Sequence, residues 1–309
     1  MPVTGLHHVT AISGPAQANV DHYAGRLGLR LVKQTVNHDD PGTYHLYYAD
    51  GPVRPGSFLT FFPWPDAMRG RAGAGQATAP AYAVRPGAIE AWQRRFADEG
   101  EDIGATSERF GERVLTLHDP DGLVVELVAT PGADGARIDG PIPADEALGA
   151  FHSVTLASHA PEATARVLTD ALGYEEHGQE ATRLRFVSPG ADRARYVDVD
   201  LAATKTLSRM GTGTVHHVAF RVPDDAAEME VRERLIALGL EPTPQVDRRY
   251  FRSVYTREPG GILFELATDP PGFTVDEPFE SLGRRLVLPP QHEPMRSRIE
   301  ARLPPLCLP

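Results

Sequence analysis

Leu6-His7-His8-Val9, near the start of the chain, returns as Phe151-His152-Ser153-Val154 and again as Val215-His216-His217-Val218. Each tetrapeptide opens an apolar stretch of strand length. A helical pattern follows each one. Val20, Tyr23, Ala24 and Leu27 share a face in the first copy, Val167, Leu168, Ala171 and Leu172 in the next, and Val231, Leu235 and Leu238 in the last. Each helix is expected to stop at a glycine, Gly28, Gly173 or Gly239, because glycine accepts the left-handed conformation just past a helix end. From the first histidine to the stop is 21 residues in two copies, 28 − 7 and 173 − 152.

A more degenerate copy begins near Tyr82-Ala83-Val84, carries Ile89, Trp92 and Phe96 on its helix, and stops at Gly100. Its end matches that of the last copy. Asp119-Pro120-Asp121-Gly122-Leu123-Val124-Val125-Glu126-Leu127 aligns with Glu258-Pro259-Gly260-Gly261-Ile262-Leu263-Phe264-Glu265-Leu266. An acid, a proline and a glycine make the turn; the apolar run makes a buried strand ending in Glu-Leu. Further strands are expected at Tyr44 to Ala49, Phe58 to Phe62 and Tyr196 to Leu201. The predicted class is therefore α+β: four tandem βαβββ modules in two domains, 1–133 and 148–271, with curved mixed sheets. Gly132 to Ala147 reads as the linker. Residues 272–309, with two Pro-Pro pairs, read as an irregular tail wrapping the surface.

The formal net charge of −11 disfavours phosphate backbones and anionic membranes, so no nucleic-acid or membrane partner is expected. No apolar run approaches the roughly 20 residues of a membrane span, and MPVTGLHHVT lacks the features of a signal peptide. The single cysteine, Cys307, forms no intrachain disulfide, which fits a cytoplasmic location. A homodimer is expected.

Histidines on first strands and glutamates on last strands are the available metal donors. One module does not easily supply three ligands, so two modules are expected to face each other. Strand side chains alternate between faces, so the two positions of each dipeptide are not equivalent. If the second position points inward, it offers His8, Ser153 and His217, and only the first and fourth modules supply imidazoles. Glu265 then completes two histidines and a carboxylate, the set typical of Fe(II) enzymes that use dioxygen. Fe(II) is the expected cofactor, ahead of Mn(II), Zn(II) and Ni(II). Pairing modules two and three leaves Glu126 and His152 without a second histidine, so Glu126 reads as a relic. Pairing modules three and four requires His152 to serve from the other strand face. A lone buried histidine is usually a hydrogen-bonded core residue. The doubled pairs, with a glutamate inside an apolar strand that needs a cation, favour ligation.

At these residues the chain resembles the vicinal oxygen chelate superfamily, and within it the ring-cleaving dioxygenases of para-hydroquinones. The resemblance rests on Leu6-His7-His8-Val9-Thr10, Leu31-Val32-Lys33-Gln34-Thr35, Tyr44-His45-Leu46-Tyr47, Arg109-Phe110-Gly111, Val215-His216-His217 and Gly260-Gly261-Ile262-Leu263-Phe264-Glu265. It continues through Gly272-Phe273-Thr274 and Ser281-Leu282-Gly283. It implies glyoxalase/dioxygenase-like domains, Fe(II) on His8, His217 and Glu265, and insertion of O2 into a dihydroxylated aromatic. It also implies catalytic roles for His7, Thr10, His216, Arg248 and Tyr255, with Arg249 adjacent to Arg248 as an alternative. Two rival functions stand beside this one. A glyoxalase-type isomerase, lyase or thiol transferase usually carries a second carboxylate, which Phe58-Leu59-Thr60-Phe61-Phe62 lacks. A non-catalytic aromatic-drug binding protein commonly has only two modules and no metal triad.

Overall fold

The computed structural model describes residues 2–99, 103, 106–136, 140–203 and 206–309. The four modules are present in order. The first comprises β1 (Leu6–Ser13), α1 (Ala16–Val20, continued by a wider turn over Asp21–Arg26), β2 (Arg30–Val36), β3 (Tyr44–Ala49) and β4 (Phe58–Pro63). In the second follow β5 (Gln76–Val84), α2 (Ala88–Asp98), β6 (Ser107–Arg109), β7 (Glu112–His118) and β8 (Val124–Ala129). The third holds β9 (Phe151–Ala157), α3 (Pro161–Arg166, continued over Val167–Ala171), β10 (Glu175–Glu180), β11 (Arg183–Val187) and β12 (Tyr196–Asp200). Last come β13 (Thr214–Val222), α4 (Asp225–Ala237), β14 (Val246–Asp247), β15 (Arg252–Arg257) and β16 (Leu263–Thr268).

The strands form two eight-stranded mixed sheets, ordered β14-β15-β16-β13-β1-β4-β3-β2 and β10-β11-β12-β9-β5-β8-β7-β6. The first unites modules one and four, the second modules two and three. Each sequence half, 1–133 and 148–271, thus gives one module to each sheet. The α+β class of repeated modules with curved mixed sheets is the class read from the sequence.

Local sequence explains the repeat. Gly28, Gly173 and Gly239 all take positive φ, at 66°, 76° and 81°, and end their helices as expected. Gly100, the expected stop in the second module, lies outside the described residues. The acid of each acid-Pro-x-Gly turn caps that turn. Asp119 accepts from the backbone N–H of Asp121 and Leu123 at 2.9 and 2.8 Å. Glu258 does the same for Gly260 and Ile262 at 2.8 and 2.9 Å. Predicted helix faces are buried, except that Leu238 is exposed because α4 has already ended beneath it. The tail winds through three short 3-10 turns and a short helix over Arg296–Glu300. It is irregular as expected, yet more than a surface wrap: Phe273, Leu282, Leu288, Ile299 and Leu303 are buried. Lys33 of β2 is fully buried beneath it, paired with Asp276 at 2.7 Å and with Glu277.

Glu228 sits on the buried face of α4 with Val231 and Leu235, and its Oε1 has no hydrogen-bond partner. Burial, chiefly, lifts its carboxyl from 4.5 to about 7. The folded state therefore binds more protons than the unfolded state between these values, and this group makes stability fall as pH rises through that window. Glu228→Gln is expected to raise the urea midpoint at pH 8 and leave it nearly unchanged at pH 4, as read by circular dichroism.

Candidate metal centre

β1 and β13 meet antiparallel at the middle of their sheet. Leu6 lies opposite Phe220, His8 opposite Ala219, Thr10 opposite His217 and Ala11 opposite Val215. His7 and His216 are each the extra residue of a β-bulge. A regular strand would send neighbours to opposite faces; the bulges instead let both members of each pair meet. His7 Nδ1 lies 2.9 Å from His8 Nδ1, and His216 Nδ1 lies 2.8 Å from His217 Nδ1. The outer nitrogens of His8 and His217 converge, Nε2 to Nε2, at 3.1 Å.

β16 runs parallel to β13 and places Glu265 opposite Ala219. Its Oε2 lies 3.3 Å from His8 Nε2 and 2.9 Å from His217 Nε2, and accepts no hydrogen bond of proper geometry. Ser253 of β15 donates to the other oxygen, Oε1. Among the described residues, these three donors form a group whose ligand atoms lie within 4.8 Å of one another, all on buried residues. Donors held about 2.1 Å from a divalent cation at right angles lie about 3.0 Å apart, so the spacing fits one ion.

The electrostatics point the same way. Burial pushes the Glu265 carboxyl upward, but the His8 and His217 imidazoles outweigh it and hold the group well below its ordinary range. Burial, and secondarily His217, lowers His216 to about 3, and burial together with His8 lowers His7 well below its ordinary value. Burial also lowers His217, against the pull of Glu265. Neutral imidazole is the form that ligates metals. An Nε2 lone pair on His8 and His217 assigns the proton to their Nδ1, which donates to the Nδ1 of His7 and His216.

The triad forms the base of a cleft of about 270 Å³. Phe62, Trp64, Phe251 and Leu263 give it apolar walls, and His45, Tyr47, His216, Arg248 and Tyr255 give it polar ones. Arg248 donates from Nε to the Tyr255 hydroxyl at 3.0 Å. Arg249 has a φ of 75° and points to Asp276, so Arg248 is the arginine that lines the cleft. Thr10 is fully buried beneath the floor and bonded to Thr60 at 2.8 Å. Sequence reasoning assigned no role to Ser253, His45, Tyr47 or Phe251. Period-two spacing from Tyr255 to Ser253 and from His45 to Tyr47 was the available signal.

The sequence pattern of the glyoxalase/bleomycin resistance protein/dioxygenase superfamily matches residues 5–127. MhqO of Bacillus subtilis, provisionally named a ring-cleaving dioxygenase, is 44% identical over 97% of this chain and 96% of its own. The chain belongs to this superfamily. A second member, the chlorohydroquinone/hydroquinone 1,2-dioxygenase of Sphingobium indicum, is 33% identical over 96% of this chain and 95% of its own. A Bacillus subtilis crystal structure provisionally titled a dioxygenase superposes with a TM-score of 0.95 at 42% identity, covering 99% of this chain and 98% of that one.

The superfamily repeat lets the second sheet be read against the first. β8 sets Glu126 opposite Ala81 of β5, and β9 sets Ser153 opposite Ala81. Glu126, Ser153 and Ala79 thus stand where Glu265, His8 and His217 stand in the first sheet. Bulges recur there too, at Thr78 and His152. Both imidazoles are missing, and the cation at Glu126 is the Arg109 guanidinium at 2.6 Å. His152 lies 2.9 Å from Glu112, and Arg185 pairs with Asp198 at 2.7 Å. Arg109→Met leaves the mostly buried Glu126 without its cation and is expected to cost about 2 kcal/mol, the scale for one buried polar group left unsatisfied. Adding Glu126→Gln recovers most of that loss in urea unfolding, and neither change alters the metal content of the protein.

Proposed function

We propose that the chain is an Fe(II)-dependent ring-cleaving dioxygenase that inserts O2 into a hydroquinone or related dihydroxylated aromatic. One observation carries the reading: two imidazole Nε2 atoms and an unpartnered buried carboxylate oxygen converge at the base of an aromatic-walled cleft. Relatives named for ring cleavage, one of them for hydroquinone, support it. The lone carboxylate at the triad favours it over a glyoxalase-type isomerase.

His8, His217 and Glu265 would hold the metal, which when bound supplies the electron relay between ring and dioxygen. The rest falls to the polypeptide. Phe62, Trp64, Phe251 and Leu263 offer flat or apolar surface to a ring and exclude water. The tautomers above leave His216 with its proton on Nε2, in the cleft, where it donates to an oxygen gaining negative charge. Arg248 fixes the Tyr255 hydroxyl as a second partner beside it. His7 has no place in the cleft wall; it holds His8 from behind and stacks its edge on Phe251 at 5.2 Å. Such outer partners orient the ligand imidazole.

The test is anaerobic loading with Fe(II), followed by air and a panel of hydroquinones and catechols in an oxygen electrode. Uptake of one O2 per ring is expected with at least one hydroquinone. His8→Ala, His217→Ala and Glu265→Gln are each expected to lose bound metal and at least 100-fold in rate. Absence of uptake across the whole panel overturns the reading.

A further inference from the structure

We propose that Tyr47 and His45 form a second polar subsite, which holds the ring oxygen of the substrate that lies away from the metal triad. The inference rests on the dioxygenase reading of the cleft and adds to it the residues that orient the ring.

Both residues lie on β3, two strands from β1 across β4. At about 4.8 Å per strand, β3 and β1 are roughly 10 Å apart, and side chains leaning inward from both leave room for one aromatic ring. Tyr47 and His45 line the same cleft as the triad. Tyr47 lies within electrostatic reach of Glu265, Tyr255 and Arg248.

The pair ends a buried hydrogen-bonded chain. The Tyr47 hydroxyl is 2.9 Å from His45 Nδ1. His45 Nε2 is 2.9 Å from the Thr60 hydroxyl, which is 2.8 Å from that of Thr10. Every member both donates and accepts, so the chain has two polarities. In one, Tyr47 donates to His45 Nδ1, His45 Nε2–H donates to Thr60, and the phenol oxygen is left to accept from a substrate hydroxyl. In the other, Thr10 donates to Thr60, Thr60 donates to His45 Nε2, Nδ1–H donates to Tyr47, and the phenol donates into the cleft. The second polarity suits a carbonyl or phenolate oxygen. The two polarities carry the same protons, one on each member, so the chain takes none from the substrate, and the bound oxygen's own donor or acceptor character sets which polarity forms. One subsite thereby suits a distal oxygen that arrives as a hydroxyl or as an acceptor alone. Thr60 and Thr10 are positioning residues at the closed end, since both are fully buried.

The experiment compares 1,4-hydroquinone with phenol, which lacks the distal oxygen altogether. Binding of each to the Fe(II)-loaded protein is measured without air, alongside oxygen uptake with hydroquinone. Wild-type protein is expected to prefer hydroquinone by at least tenfold. Tyr47→Phe, which removes one oxygen atom, is expected to cut that preference to within threefold and to raise KM more than it lowers kcat. His45→Gln provides a second variant with the same expected loss of preference. Wild-type protein that turns over hydroquinone without preferring it, or variants that keep the full preference, overturn the subsite. Wild-type protein that takes up no oxygen with any hydroquinone overturns the dioxygenase reading itself, and the subsite with it.

Discussion

The antiparallel seam between β1 and β13 is the constraint on which the cleft depends. It joins His8 to His217 across 209 intervening steps of chain. A slip of one residue would send each strand's inward set to the opposite face. The two bulges work against simple alternation in a controlled way. Each inserts one residue, and each inserted residue is the histidine that backs a triad imidazole. The same local defect therefore supplies the donor and its support.

Both sheets meet one electrostatic requirement by different means. A glutamate buried on the last strand of a module needs a cation, because an isolated carboxylate in an apolar run costs several kcal/mol. In the sheet of modules two and three, Arg109 meets that need from the module's own chain. In the sheet of modules one and four, no arginine among the described residues reaches Glu265 Oε2, and the Nε2 atoms of His8 and His217 face it instead. A guanidinium closes a site; a pair of lone pairs keeps it receptive. The contrast between Glu126 and Glu265 separates a structural ion pair from a candidate catalytic centre within one repeated fold.

Much of this was legible in the sequence. The tetrapeptides around His8, Ser153 and His217, read in register, single out modules one and four before any coordinates. The glycines after three helices and the capped acid-Pro-x-Gly turns are local effects, and local effects survive in one dimension. Other features were not legible for the same reason. Strict alternation separates His7 from His8, and only the cross-strand register reveals the bulge. Period-two spacing puts His45 and Tyr47 on one face of β3, but only the placement of β3 beside β4 and β1 brings that face to the triad. Lys33, charged and in a segment that reads as an ordinary strand, is buried because Asp276 and Glu277 arrive from more than 240 residues away.

The nesting of the sheets also bears on synthesis at the ribosome. Modules two and three lie between modules one and four in the chain, so the inner sheet has all its strands once Asp200 has emerged. β1, made first, waits with one edge unpaired until β13 follows, and the tail that buries Lys33 arrives later still. The imidazoles of His8 and His217 are thus brought together only after modules two and three have been made. A chain that stops short of β13 holds one of the three donors and an open strand edge, the kind of edge that invites pairing with the wrong partner.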